Sequence, residues 1–311
     1  MQLRHLRYFV KIVEAGSFSR AAVAIHVAQP ALSHQIGELE EEMGLPLLHR
    51  SARGVQPTAA GEVLYREAIA VLQLLDQLPG KVRSSQGVVE GVVTLGMTST
   101  LAAVLFGPFM ESCRSVLPKV ALRFSTGQSY LVASRVEARN LDLGVVFEDE
   151  PIAGLARQCL FRQRLFLLRR DPPCARFSAV SLIDLAKLPL VLPARPNVIR
   201  AVFDPAIAEA SLVANIVAEA DSFYGMLAAV LSGVGSAVAP KGDLSDVPGY
   251  EGIQATIIEP PIYLVASIVK SKHAPLTAAG EAVRSLFADF VANWLANKGL
   301  PGAESLDPMS L

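Results

Sequence analysis

The chain has 311 residues, enough for two or three units at about 100–200 residues per domain and for a sizeable core. Hydrophobic residues make up 51%, charged residues 18%, and mean hydropathy is +0.39, which excludes disorder as the main state. Lys and Arg number 28 against 29 Asp and Glu, so the net charge of −1 excludes a polycationic coat for nucleic acid and leaves only a local basic site.

The opening MQLRHLRYFVKIVEAG carries Lys11 and Glu14 inside its apolar stretch and does not read as a signal peptide. Leu3, Leu6, Phe9, Val10 and Val13 recur at helical spacing, which predicts an amphipathic helix over 3–15. Gly16 ends it, and Ser17 caps a second helix with the apolar face Phe18, Ala21, Ala22 and Ile25. A turn at His26-Val27 follows, and Pro30 then sits in the first turn of a third helix, where its missing N–H costs nothing. Leu32, Ile36, Leu39 and Met43, spaced 4, 3 and 4 apart, predict one buried stripe. Gly44 and Pro46 stop that helix. Residues 47–57 (LLHRSARGVQP) read as two short strands around a turn, with Gly54 free to take positive φ.

From Thr58 a helical pattern passes through Leu64, Val71, Leu72, Leu75 and Leu78 to a break at Pro79-Gly80. So wide an apolar stripe on an exposed helix predicts dimerisation. Residues 81–90 read as a linker. Beyond Gly91 the expected strands are Val92–Met97, Val120–Phe124, Leu141–Phe147, Leu165–Arg169, Leu190–Leu192, Val213–Glu219, Ser236–Ala239 and Ile262–Val269. Helices are expected from near Thr100, Ser129, Ser181, Asn197 and Ser222, and from Thr277 to Asn297. Apolar strands separated by helices indicate α/β units with parallel pairing. The uncharged runs Gly91–Met110 and Ser222–Pro240 each divide into a strand and a helix, so neither reads as a membrane span. TAAGEVL at 58–64 and TAAGEAV at 277–283 both read as a Thr cap with an early Glu on the helix dipole. The tail from Gly299 is expected to fray.

Three cysteines, Cys113, Cys159 and Cys174, are an odd, scattered set without a CxxC pair. That argues against a disulfide scaffold or zinc finger, implies no metal or cofactor, and fits a reducing, cytoplasmic setting. An enzyme is excluded by the absence of a nucleophile elbow, P-loop, GxGxxG after a strand, or HExxH. A Ser-His or Cys-His device in the α/β half would rest on His273 alone.

Two helices joined by a tight turn, the second polar outside and buried inside, form a helix-turn-helix. Its outward N-terminal residues Gln29, Ser33, His34 and Gln35 are of types that meet base edges, and the helix N-terminus favours a phosphate. Spacing alone leaves open a helical subdomain that is merely polar outside. The segment SFSRAAVAIHVAQPALSHQIGELEEEMGLPLLHRSARGVQPTAAG closely resembles the N-terminal domain of LysR-type transcriptional regulators. MQLRHLRYFVKIV and IHVAQPALS are most similar to the nitrogen-assimilation control branch of that family.

The resemblance implies an α+β protein: an N-terminal winged helix-turn-helix, a long linker helix, and a C-terminal two-lobed α/β effector domain resembling periplasmic binding proteins. The corresponding boundaries are 1–58 for DNA binding, 59–90 for linker and dimerisation, 91–297 for the effector domain, and 298–311 for a flexible tail. Lobe I takes 91–161 and 265–297, lobe II 162–264. Carried over by position, Gln29, Pro30 and Ser33 match contacts of the recognition helix, and Arg50 and Arg53 match the wing. Three departures stand out: Ala28 replaces a frequent Ser cap at a cost of about 1 kcal/mol, His34 replaces a common Arg, and Gly37 a frequent basic residue. The implied partners are double-stranded DNA with an inverted-repeat site, a second copy as a dimer or dimer of dimers, a small-molecule inducer, and RNA polymerase, with no membrane.

In open α/β sheets, ligands bind beyond the carboxyl ends of strands, beside helix N-termini. That places Ser99, Thr100, Thr126, Gly127, Ser129, Asn197, Ser222 and Phe223 around one cleft suited to a small anion. Ser99, Thr100, Ser129 and Ser222 read equally as helix caps. Two alternatives accompany the effector reading: redox sensing by Cys159 and Cys174, and regulation by abundance without an effector.

Overall fold

The computed structural model describes residues 1–51, 54–84, 89–170, 179–241, 252–297 and 299–306, with side chains omitted at 73, 76, 77 and 79–84. The chain divides into two compact units, one of residues 1–88 with 138–140, the other of the remainder of 89–311.

The first unit opens with α1 (Leu3–Ala15), α2 (Phe18–Ala24) and α3 (Gln29–Met43). Gly16 ends α1 at φ +60°, its N–H donating to the carbonyls of Ile12 and Val13. Ser17 Oγ accepts from Arg20 N at the start of α2. Ala28 gives α3 no side-chain cap, as its methyl group dictates. Phe9, Ile12, Phe18, Ala21, Leu32, Ile36 and Leu39 form the core, joined by Leu47 and Leu48. Met43, expected in the buried stripe, is 38% exposed, because the core closes at Leu39 one turn earlier.

β1 (Leu48–Ser51) and β2 (Gly54–Pro57) pair antiparallel. Glu40 on α3 fixes this hairpin, its Oε1 accepting from Leu47 N at 2.8 Å and Leu48 N at 3.1 Å. Val55 N donates to Gly16 O at 3.0 Å. At Gly54, φ is +125° and a Cβ would stand 2.7 Å from Gly16 O, so the close approach requires glycine.

α4 (Ala59–Ser84) begins with Thr58 Oγ1 accepting from Gly61 N at 3.0 Å. It continues through Pro79 and Gly80, against the expected break. A proline removes one hydrogen bond and disturbs one turn, and its cost is local to that turn of a 26-residue helix. Leu72 packs with Leu64 and Tyr65 against Leu6, Val10, Ala68 and Ile69. The solvent-facing apolar residues of α4 are instead Val63, Val71, Leu74 and Leu78, between 39% and 52% exposed. The stripe predicted to need a partner is therefore split. Its Leu72 side is covered by α1.

Among the described residues, the second unit is built on an 11-stranded mixed sheet. β3 (Gly91–Thr98), β4 (Val120–Gly127) and β5 (Leu143–Glu148) pair in parallel, with β3 central. α5 (Ser99–Val116) and α6 (Ser129–Glu137) connect them. The chain then enters β6 (Leu155–Arg170), a 16-residue strand where only Leu165–Arg169 was expected. In its first half only Leu155 and Phe161 are buried, so it lacks the continuous apolar signature of its end.

Beyond β6 come β7 (Ala179–Ser181), α7 (Leu182–Lys187), β8 (Leu190–Leu192), α8 (Val198–Glu209), β9 (Ile216–Glu219), α9 (Phe223–Leu231), β10 (Ser236–Pro240) and β11 (Ile253–Glu259). β8 pairs in parallel with β9 and β10. β12 (Tyr263–Ser271) returns the chain antiparallel to both β6 and β5. Purely parallel pairing is thus corrected: β6 and β12 run oppositely because one leads the chain out of the first half of the sheet and the other brings it back.

α10 (Ala278–Asn297) starts with Thr277 Oγ1 accepting from Gly280 N at 2.9 Å and packs on α5, with Phe109 and Phe287 edge-to-face at 4.8 Å. The tail expected to fray contributes β13 (Ala303–Ser305), antiparallel to β6, with Leu300 buried beneath it. Gln163 Nε2 donates to Pro301 O at 2.8 Å, and Tyr263 Oη donates to Glu304 Oε1 at 2.7 Å. Three residues are too few to show a period, which hid this strand from the sequence. Among the described residues, no helix is long and apolar enough to cross a membrane.

Candidate DNA-reading surface and effector cleft

The buried residues of α3 leave its N-terminal turn outward. Gln29, Pro30 and His34 are exposed, and Ser33 and Gln35 are half-buried. Gln35 is turned along the helix, Nε2 donating to Glu38 Oε2 at 2.5 Å. His34 Nδ1 lies 3.6 Å from Glu38 Oε1, so the two residues that follow Ser33 lean on one carboxylate. Arg50 reaches from β1 to α3: its guanidinium donates to Ser33 Oγ at 3.1 Å, stands 3.7 Å from Glu40 Oε2, and covers the Phe18 ring at 4.6 Å. Hairpin and helix are thereby joined through the expected contact residues Ser33 and Arg50. Arg53 lies outside the described residues.

In the second unit a cavity of about 310 Å³ lies at the carboxyl ends of β3 and β4 and the N-termini of α5, α6, α8 and α9. Ser99, Thr100, Gly127, Ser129, Asn197, Ser222 and Phe223 all line it. Thr126 does not. It is exposed on β4, the edge strand, and strand alternation carries its side chain away from its neighbour Gly127.

Asn197 Oδ1 accepts from Ile199 N at 2.9 Å and Ser222 Oγ from Gly225 N at 3.0 Å, so these two are capping their own helices. Ser99 and Thr100 form the first turn of α5, preceded by Thr98 as N-cap without a side-chain cap bond. Thr98 is 5% exposed, and its Oγ1 has no hydrogen-bond partner among the described residues. Gln128 spans the cleft, donating to Asp221 O at 2.8 Å and accepting from Asn197 Nδ2 at 3.4 Å. Gln128 was not singled out from the sequence, although it lies between Gly127 and Ser129, which were. Among the described lining residues Asp221 is the one charged side chain. Any attraction for an anion therefore comes from backbone N–H groups at the four helix starts.

Cys113 is buried, and burial pushes its thiol up, away from thiolate. Cys159 lies on β6, half-buried, and Cys174 lies outside the described residues. Nothing in this geometry favours the redox alternative.

The bacterial regulatory helix-turn-helix model of the lysR family matches residues 3–62, and the LysR substrate binding domain model matches residues 86–292. The nitrogen assimilation regulatory protein nac of Klebsiella aerogenes is 34% identical over 295 residues, covering 94% of this chain and 96% of that protein. Its counterpart in Escherichia coli K12 is 32% identical, covering 96% and 98%. In fold, the chain is similar to full-length CbnR in complex with its target DNA (TM-score 0.69, 20% identity, 94% and 99% coverage). It is likewise similar to full-length OxyR from Pseudomonas aeruginosa (TM-score 0.71, 21% identity, 99% of both chains). With both domain models matched in order along the chain, the protein belongs to the LysR family and is a DNA-binding transcriptional regulator with a substrate-binding effector domain, not an enzyme.

Proposed function

We propose that the protein binds an inverted-repeat site in double-stranded DNA as a homodimer, assembling further as a dimer of dimers, in the cytoplasm. The observation that carries this is the outward N-terminal turn of α3, where Gln29 and Ser33 stand over a closed core. Gln29 reads a base edge, Pro30 packs against the sugar-phosphate backbone, and Ser33, held by Arg50, serves a base or phosphate. His34 and Gln35 flank that contact. Arg50 ties the hairpin to α3, and Arg53 serves as the phosphate contact of the wing. A second copy covers Val63, Val71, Leu74 and Leu78 on α4.

The division is 1–58 for DNA reading, 59–90 for linkage and dimerisation, and 91–297 for effector binding, with lobes meeting at 161/162 on β6 and 264/265 on β12. A small anion enters the 310 Å³ cavity, held by the Thr98 and Thr100 hydroxyls and the N–H groups near Ser99, Gly127, Ser129 and Phe223. RNA polymerase is the partner through which bound protein acts on transcription. A second reading, control by abundance without an effector, draws on Gln128, whose two hydrogen bonds already bridge the cleft. Hydroxyl-radical footprinting on sites recovered by genome-wide mapping tests the dimer. Two symmetric protected patches about 10–10.5 bp apart, or a multiple, are expected. A single unsymmetrical patch overturns it.

A further inference from the structure

A second, larger cavity of about 630 Å³ lies between α6 and α8, sharing Ser129, Phe147, Asn197 and Val198 with the effector cleft. Its apolar wall includes Tyr130, Ala133, Phe147, Ile152 and Pro205. Its charged groups are Glu137, Glu148, Asp149 and Asp204 against Arg195 and Arg200, so carboxylates predominate. Both guanidinium groups are already engaged. Arg195 Nε donates to Asp204 at 2.9 Å, and Arg200 donates to Asp204 at 3.0 Å and to Glu219 at 2.7 Å.

Glu148 is the distinctive member. Its side chain is 1% exposed, and its Oε1 accepts from Arg157 at 3.0 Å and from the Ser267 hydroxyl. Its Oε2 is buried and has no hydrogen-bond partner among the described residues. A desolvated carboxylate oxygen without a donor is costly, and a bound molecule that supplies an N–H removes that cost. Asp204 is already paired with Arg195 and Arg200, which leaves Glu137 and Asp149 as the wall carboxylates that make a charged donor better than a neutral one. The aromatic and aliphatic wall accepts an apolar body behind it.

We propose that this cavity is a second ligand site, taking a small organic cation: an ammonium or amidinium head directed to Glu148, on an aromatic or aliphatic body. Its charge preference is opposite to that of the neighbouring cleft. The shared lining residues make the two sites neighbours through which occupancy of one biases the other.

Benzylamine is the probe, titrated calorimetrically into the full-length protein beside benzyl alcohol and benzoate. Saturable binding of benzylamine is expected, with benzyl alcohol at least about tenfold weaker and benzoate silent. Glu148→Gln should weaken benzylamine by about tenfold or more. Ala201→Trp, which fills the cavity from α8 and replaces no polar group, should abolish it while leaving the melting curve intact. Should Glu148→Gln fail to fold, Ala201→Trp decides alone. No saturable benzylamine binding, or equal affinity in both variants and the parent, overturns the proposal. So does a loss on Thr98→Val with none on Ala201→Trp, which would put the amine in the effector cleft.

Discussion

Thr98 offers a substitution whose two consequences have opposite signs. Its Oγ1 is buried, caps nothing, and has no partner among the described residues. A desolvated, unpaired hydroxyl costs about 1–3 kcal/mol, whereas valine keeps the β-branched shape without that cost. Thr98→Val should therefore stabilise the effector unit, by about 1 kcal/mol at the lower bound, which for a unit of this size corresponds to roughly 2–4 °C in Tm. Ligand binding should move the other way. If the hydroxyl is held for an effector, its loss should raise the inducer concentration needed for a given operator response by roughly 5- to 150-fold. Calorimetric melting of the parent and variant measures the first effect, and operator titration in the presence of candidate anions measures the second. A lowered Tm would show that Oγ1 has a structural partner and refute the reasoning. A raised Tm with an unchanged inducer threshold would retain the unpaired hydroxyl and remove it from the ligand site.

Gln29→Ala and Ser33→Ala should each weaken binding to the cognate site by roughly 1–3 kcal/mol and spare random DNA, as compared by competition electrophoresis; equal losses on both would show that neither reads sequence. Leu74→Glu with Leu78→Glu should yield monomers by sedimentation and collapse affinity for two half-sites, and an intact dimer would place the interface elsewhere than this exposed stripe. Glu304 has its carboxyl held below the ordinary range by the Tyr263 hydroxyl and by Arg162. A depressed folded-state value means stability that is present above the unfolded pKa of about 4.3 and lost as pH falls through the folded value. Protection of the Ala303–Ser305 amides, measured against their intrinsic exchange rate, should accordingly fall below about pH 4 and ahead of the core strands, whereas uniform protection down to global unfolding would contradict the docking role of Glu304.

Local chemistry was readable from the chain. Gly16, Ser17, Thr58, Asn197, Ser222 and Thr277 start or stop helices where their side chains and φ preferences indicate, because a cap is decided within four residues. Most of the effector cleft followed, since helix starts at strand ends are also its walls. What escaped was settled by distant partners. Arg50 looks like a free wing cation until Ser33, 17 residues earlier, is found beneath it. Leu72 and Leu74 are indistinguishable in a helical pattern until α1 covers one and not the other. Gln128 became visible only when Asp221 and Asn197 came within reach across the cleft. Thr126 was misplaced by one residue, which on a strand means the opposite face.

β13 crosses β6 at Phe161–Gln163, midway along the strand that joins the two halves of the sheet. A third strand laid over such a span acts as a splint: bending β6 must shear its ladder with β13 and strain the Gln163 and Arg162 attachments. Residues 300–305, remote in sequence from both cleft and recognition helix, thus brace the middle of β6, so a change there would be felt along the strand and not only at the tail.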